Sequence, residues 1–168
     1  LYYYLDSPPT NSYLKMLYKY PHREFPYAEL VEKNRTRGRS EPEFELLDTG
    51  IFDDDRYFDV FIEYAKSSPD DISILLSVHN RGPESAEIHL LPQIWFRNTW
   101  SWGLADSVHP GASASTDGRI DLAHPSLGQF HLFYEDAPDL LFCENETNPK
   151  MFATPQSKGH FKDAFHEY

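Results

Sequence analysis

The sequence of 168 residues predicts an all-β fold, an antiparallel β-sandwich of the supersandwich type with one or two short helices. Three observations lead to this prediction. Apolar and polar side chains alternate with the period of half-buried strands at residues 57–65, 72–79 and 85–96. Short segments rich in Pro, Asp, Ser and Gly separate these runs, as in sandwiches. Aromatic residues make up 15% of the chain and 13 residues are proline, which suits sheets and turns better than helix bundles.

The first third of the chain predicts three strands and a helix. Residues 1–6 and 13–20 are strand candidates, separated by a Ser-Pro-Pro-Thr-Asn breaker. Pro26 opens a helix that runs through Lys33, because proline is favoured in the first helical turn and the apolar residues that follow share one face. Residues 43–47 predict a further strand.

The centre of the prediction is a hairpin between residues 72–79 and 85–96. Every second residue of the first strand is aliphatic, and the segment 80–84 supplies the turn. Pro92 cannot donate to a ladder, so we expect the returning strand to be an edge or to carry a bulge there. The predicted core consists of inward-facing apolar residues: Phe58, Val60, Ile62, Ile72, Ile74, Leu76, Val78, Ile88 and Leu90.

The last third predicts a polar loop over residues 104–117 and three more strands at 119–122, 128–134 and 140–144. The final segment, 159–168, predicts the start of a helix or of an aromatic-rich crossover. The chain opens without methionine and closes inside this segment. We therefore expect one β-sandwich domain over the whole chain, excised from a longer polypeptide.

Charge and cysteine content limit the partners. A net charge of −12 argues against nucleic acid, whose phosphates require clustered lysine and arginine. No apolar run reaches membrane-spanning length, so no membrane partner is predicted. The single Cys143 cannot form an internal disulfide and favours a reducing compartment, the cytoplasm. Glycosylation sequons at Asn34 and Asn145 are interpreted as chance occurrences.

Several smaller groups of reactive residues fall short of a catalytic or metal site. The acidic run at 53–55 lacks the spacing of a calcium loop and is interpreted as a solvated or partner-facing turn. His79 and His89 lie on opposite arms of the predicted hairpin, but zinc needs at least three protein ligands. Cys143 is interpreted as a buried strand thiol rather than a nucleophile. The sequence predicts no catalytic residue, no metal and no cofactor.

The tryptophans form the most distinctive group. Trp95, Trp100 and Trp102 fall within eight positions beside Arg97 and Asn98, in a loop that follows a predicted strand. Indole faces suit sugar rings, and Arg or Asn can hydrogen-bond hydroxyl groups. The same residues could instead pack in the core or dock on a neighbouring domain, which is the favoured interpretation. An extended conformation would put Trp100 and Trp102 on one side of the segment.

Four stretches of the chain resemble one protein family. They are YYYLDSPPT at residues 2–10, LLDTGIFDDDRYFD at 46–59, VHNRG at 78–82 and WFRNTWSW at 95–102. These stretches resemble the N-terminal part of bacterial proteins related to glycoside hydrolase family 63, which includes the mannosyl-oligosaccharide glucosidases. The resemblance spans nearly the whole chain.

The resemblance implies a β-sandwich that precedes a catalytic (α/α)6 barrel. It also implies that the acid and base carboxylates of α-glycoside hydrolysis lie in that barrel and not in this segment. The expected function is therefore that of a non-catalytic domain that docks on the catalytic barrel of the same polypeptide and borders its substrate cleft. An autonomous carbohydrate-binding module with an oligosaccharide ligand is the alternative.

Overall fold

The computed structural model describes residues 1–103, 109–152 and 158–163. Its contacts divide the chain into two compact units, Leu1–Leu90 and Leu91–Tyr168. The regular structure of the described residues consists of two antiparallel sheets, one α-helix and short 3-10 turns. The predicted all-β class is confirmed. That the whole chain forms a single domain remains a prediction.

The first unit contains a four-stranded antiparallel sheet in the order β1-β2-β3-β4. The strands are β1 (Tyr2–Asp6), β2 (Tyr13–Pro21), β3 (Tyr57–Ser68) and β4 (Asp71–Asn80). All four were predicted, although β3 runs to Ser68 and turns directly into β4. The central hairpin of the chain is therefore β3–β4.

One side of this sheet, the apolar face, carries hydrophobic side chains from all four strands. The register aligns Met16 with Ile62 and Ile62 with Leu76, so the alternation of the strands agrees across the sheet. Phe58 and Val60 are buried on this face. The face consists of Tyr2, Tyr4, Leu14, Met16, Tyr18, Tyr20, Phe58, Val60, Ile62, Tyr64, Ile72, Ile74, Leu76 and Val78.

The opposite side of the sheet carries an ion-pair cluster around Asp59, the buried polar side chain of this unit. The Lys19 ammonium lies 2.7 Å from one carboxylate oxygen and Arg81 Nε lies 2.6 Å from the other. Burial by itself raises the pKa of Asp59, but the hydrogen bonds and charges of Lys19 and Arg81 outweigh it, so the pKa lies below its ordinary value. Lys15 and Glu63 form a second, more exposed pair on the same side.

Helix α1 (Tyr27–Arg35) and two 3-10 turns (Leu46–Thr49 and Asp53–Asp55) connect β2 to β3. The helix begins directly after Pro26, close to the predicted start. The strand predicted at residues 43–47 is wrong. There, Glu45 N donates to the Asp48 carboxylate at 2.8 Å, a capping bond that favours a tight turn over an extended ladder.

The predicted strand at residues 85–96 is also wrong, and with it the predicted pairing to β4. The Asn80 side chain accepts from Gly82 N at 2.9 Å and donates to Glu84 O at 2.7 Å. These bonds curl the chain tightly after β4, and Pro92 removes a further ladder donor. Residues 86–99 form no helix or strand.

The predicted core is correct only in part. Phe58 and Val60 are buried, and Ile62, Leu76, Val78 and Ile88 are half-buried. Ile72, Ile74 and Leu90 are exposed, contrary to the prediction. Because β4 is an edge of the sheet in the part of the chain that the structure describes, its alternation orients side chains without covering them.

The second unit contains a three-stranded antiparallel sheet, β5-β6-β7. The strands are β5 (Gly111–Ala114), β6 (Arg119–His124) and β7 (Gly128–Phe133), of which β6 and β7 were predicted. Leu122 and Phe161 are buried in this unit.

Two predictions for the second unit fail, namely the loop at 104–117 and the strand at 140–144. The loop and the final segment also fall partly outside the described residues. The loop predicted over residues 104–117 contains β5, while 104–108 are not described. The strand predicted at 140–144 is wrong, because Glu144 N donates to His160 O instead of to a ladder. The interpretation of Cys143 as a buried strand thiol is wrong with it, since this thiol is exposed. Residues 164–168 of the predicted final segment also lie outside the described residues.

Candidate functional site

The tryptophan segment of the second unit ends in a 3-10 turn, Trp100–Trp102. Gly103 closes the turn with φ 69°, a left-handed conformation that favours glycine. The expected extended alternation is therefore wrong. With about three residues per turn, Trp100 and Trp102 project in different directions. Trp100 is half-buried, whereas Trp102 is exposed.

Two asparagine side chains hold the segment in place. Asn98 Nδ2 donates to the Asn145 carbonyl oxygen at 2.8 Å, and Asn145 Nδ2 donates to the Phe96 carbonyl oxygen. Asn98 Oδ1 also accepts from Ser101 N at 3.1 Å. Asn98 therefore bridges the start of the 3-10 turn to a chain segment 47 residues away. Its role in the structure is to fix the segment rather than to face solvent.

Trp100 strengthens the same connection. Its indole Nε1 donates to Glu146 Oε1 at 2.8 Å, and its ring lies 5.5 Å from that of His109, measured between centroids. A half-buried indole that satisfies its N–H in this way is held in one orientation. Trp100 is therefore an anchor of the loop.

Trp95, Arg97 and Trp102 are exposed, and we call these three residues the Trp-Arg surface, within which Arg97 contacts Trp102. Trp95 is 66% exposed and Trp102 is 55% exposed. The Arg97 guanidinium lies over the Trp102 ring, 5.2 Å from its centroid, a cation–π contact. The surface combines apolar indole area with the hydrogen-bond donors of an exposed guanidinium, which suits a sugar ring or the side chains of another domain.

The structure thus separates the five residues that the sequence singled out. Trp95, Arg97 and Trp102 are outward, while Asn98 and Trp100 hold the loop. Sequence reasoning missed Asn145 and Glu146, the partners that define this arrangement. The one signal there was the sequon at Asn145, whose amide makes an internal hydrogen bond instead.

The sequon at Asn34 is engaged in the same way. Asn34 Nδ2 donates to the carbonyl oxygens of Leu30 and Phe44, and its Oδ1 accepts from Phe44 N at 2.8 Å. These bonds tie the end of α1 to the chain before the first 3-10 turn. Both sequon amides therefore have a structural use.

A polar pocket in the first unit is the second candidate site. It has a volume of about 550 Å³ and lies beside the acidic turn Asp53–Asp55. Arg23 Nη2 donates to the Gly50 carbonyl oxygen at 2.8 Å, and hydrogen bonding to Glu84 raises the pKa of Arg56. The lining residues are His22, Arg23, Thr49, Gly50, Asp53, Asp54 and Arg56.

This pocket is lined by side chains of both charges, and their arrangement does not indicate a particular reaction or ligand. In the described part of the chain, no three His, Cys, Asp or Glu side chains come together to hold a metal ion. The described helices are all too short or too polar to cross a bilayer. The Trp-Arg surface remains the better candidate because its side chains are exposed and Arg97 lies over the Trp102 ring.

Fold and site together define an all-β chain with an exposed aromatic and cationic surface. The chain is similar to an uncharacterized protein of Saccharomyces cerevisiae (strain ATCC 204508 / S288c), YMR196W, at 36% identity over 204 aligned residues. The alignment covers 100% of this chain and 19% of the yeast protein. No family model matches the chain, and no solved structure matches it. The chain spans about a fifth of the length of the curated relative that it matches.

Proposed function

We propose that this chain is a non-catalytic domain of an α-glucosidase-type glycoside hydrolase, and that it docks on the catalytic barrel of the same polypeptide. The single observation that carries the proposal is the Trp-Arg surface. Two tryptophans more than half exposed, with a guanidinium stacked on one of them, match the aromatic and arginine composition of interface anchors.

Three further points support the proposal. The motifs at residues 46–59 and 95–102 resemble the N-terminal part of glycoside hydrolase family 63-related proteins. The yeast relative is a much longer polypeptide in which the matching region is one part. Cys143 is a free and exposed thiol, which fits a cytoplasmic protein better than one from an oxidising compartment.

In this proposal the residues that hold the loop and the exposed residues have different roles. Asn98 and Trp100 fix the loop through Asn145 and Glu146, and this pre-organisation lowers the entropy that binding would otherwise cost. Trp95, Arg97 and Trp102 make the contact, at the edge of the substrate cleft.

The test uses the full-length protein and the substitution Trp102→Ala. We expect a rise of about 30-fold in KM for an aryl α-glucoside, or an equivalent weakening of domain association, by the usual magnitude of an interface anchor. Phe133→Ala is the matched control, because Phe133 is an aromatic residue 70% exposed on β7 of the same unit. The control variant should behave as wild type.

Other outcomes separate the alternatives. The exposed indoles also suit an autonomous carbohydrate-binding module, for which Trp102→Ala would abolish retention on an immobilised oligosaccharide while KM and domain association stay unchanged. If Trp102→Ala has the KM, the domain association and the oligosaccharide retention of the wild type, this surface has neither role. A full-length protein without any glycosidase activity would remove the hydrolase assignment itself.

A further inference from the structure

The apolar face of the β1–β4 sheet is extensively exposed. Eight of its side chains each expose more than a third of their surface, and Tyr4 exposes 78%. They lie on all four strands, so the exposed area is one continuous patch rather than scattered residues. The eight are Tyr2, Tyr4, Leu14, Tyr18, Tyr20, Tyr64, Ile72 and Ile74.

The size of the patch decides what it can bind. Its exposed side chains amount to roughly 800 Å², which is about the area that each partner buries in a standard-size stable interface. Patches of this size on soluble proteins mark interaction sites. Phe58 and Val60 on the same face are already buried, with the His22 ring 4.6 Å from that of Phe58, so the patch available to a partner consists of the exposed residues named above.

The chemistry of the patch is self-complementary. Between Phe58 and Tyr64, and across the strands paired with them, the face carries no charged side chain; Lys66 lies at its end. Apart from Lys66, the charges of the sheet lie on the other side, where Asp59 and Glu63 are paired with lysines. Two copies can therefore approach through this face without burying a charge, although each carries a net charge of −12.

We propose that the apolar face binds a second copy of this chain, so that two β1–β4 sheets pack face to face. Such packing places the sheets about 10 Å apart with their strands within roughly 30° of alignment. Because a two-fold axis relates the copies, each face meets an identical face. The tyrosines contribute large apolar contacts, and Tyr2 and Tyr4 on the edge strand β1 can keep their hydroxyl groups at the rim.

The test compares adjacent residues of β4 whose side chains lie on opposite sides of the sheet. Ile74 is 49% exposed on the apolar face and Leu75 is 59% exposed on the charged side. In sedimentation velocity runs of the natural full-length protein, we expect a dimer. Ile74→Lys should weaken the dimer at least about 30-fold, whereas Leu75→Lys should leave it unchanged.

Salt dependence provides an independent readout. The proposed contact contains no ion pair, so added salt should not weaken the dimer. A dimer held by ion pairs would weaken with salt instead. A wild-type protein that stays monomeric up to about 100 µM, well above common dimer affinities, overturns the proposal, as does a dimer that Ile74→Lys does not weaken.

A second pair of variants tests the dimer proposal if Ile74→Lys does not fold. In a Cys143→Ser background, Ile74→Cys should react with a thiol reagent in dilute solution and be protected in concentrated solution. Leu75→Cys should react equally in both. Protection of Ile74→Cys at every concentration would mean that another part of the same polypeptide covers the face, which contradicts the proposal.

Discussion

The buried carboxylate of Asp59 offers the sharpest test of what stabilises the first unit. Asp59→Asn keeps the size of the side chain and removes its charge. The side chain is 7% exposed, and its partners Lys19 and Arg81 are 23% and 46% exposed. Breaking a fully buried ion pair costs about 3 to 5 kcal/mol, and because these partners reach solvent we expect a loss of about 2 kcal/mol.

The same pair predicts how stability depends on pH. Because the folded-state pKa of Asp59 lies below its unfolded value of about 3.9, its contribution is present above that pH and is lost as the pH falls through the folded pKa. The difference in unfolding free energy between wild type and Asp59→Asn should therefore be full at neutral pH and shrink below about pH 4.

Chemical denaturation followed by far-UV circular dichroism, at neutral and acidic pH, measures both effects. Glu63→Gln is the control on the same side of β3, since its side chain is 23% exposed and its lysine partner 33%. That variant should lose clearly less stability than Asp59→Asn, because solvent screens the more exposed pair. If Asp59→Asn is as stable as wild type at neutral pH, or if the difference between them does not shrink in acid, the cluster does not stabilise the sheet.

Two further substitutions test the turns. Gly50→Ala should lower the free energy of unfolding by at least about 1 kcal/mol, because Gly50 has φ 66° and a Cβ there would lie 2.7 Å from an Asp53 carboxylate oxygen. Gly38→Ala is the control: its Cβ would make ordinary contacts, and the variant should be nearly neutral in the same chemical denaturation experiment. Trp100→Phe removes the donor to Glu146 and should destabilise the second unit by about 1 to 2 kcal/mol, measured by fluorescence of the remaining tryptophans; an unchanged midpoint would mean that the bond does not hold the loop.

The strands that the sequence predicted correctly have a simple cause. In β3 and β4 every second residue is apolar, from Phe58 to Tyr64 and from Ile72 to Val78, and the two strands agree in phase. Residues 85–96 alternate as well, but Pro92 and the Asn80 turn remove the hydrogen bonds that a strand needs. Periodicity describes side chains, whereas a strand also requires a backbone partner.

Burial and the site were less predictable for a related reason. Alternation assigned Ile72 and Ile74 to the correct face, yet nothing in a local pattern says whether that face is covered. The tryptophan cluster was located from sequence, but its division into anchors and exposed residues depends on Asn145 and Glu146. These partners lie 46 to 49 residues further along the chain, a contact that spacing does not encode.

The uneven distribution of indole rings gives each unit its own optical signal. All three tryptophans of the chain lie in Leu91–Tyr168, whereas Leu1–Leu90 contains tyrosine and phenylalanine as its aromatic rings. Selective excitation of tryptophan therefore follows unfolding of the second unit, while circular dichroism follows both. A difference between the two midpoints in one sample would measure the thermodynamic independence of the units directly, without an added label.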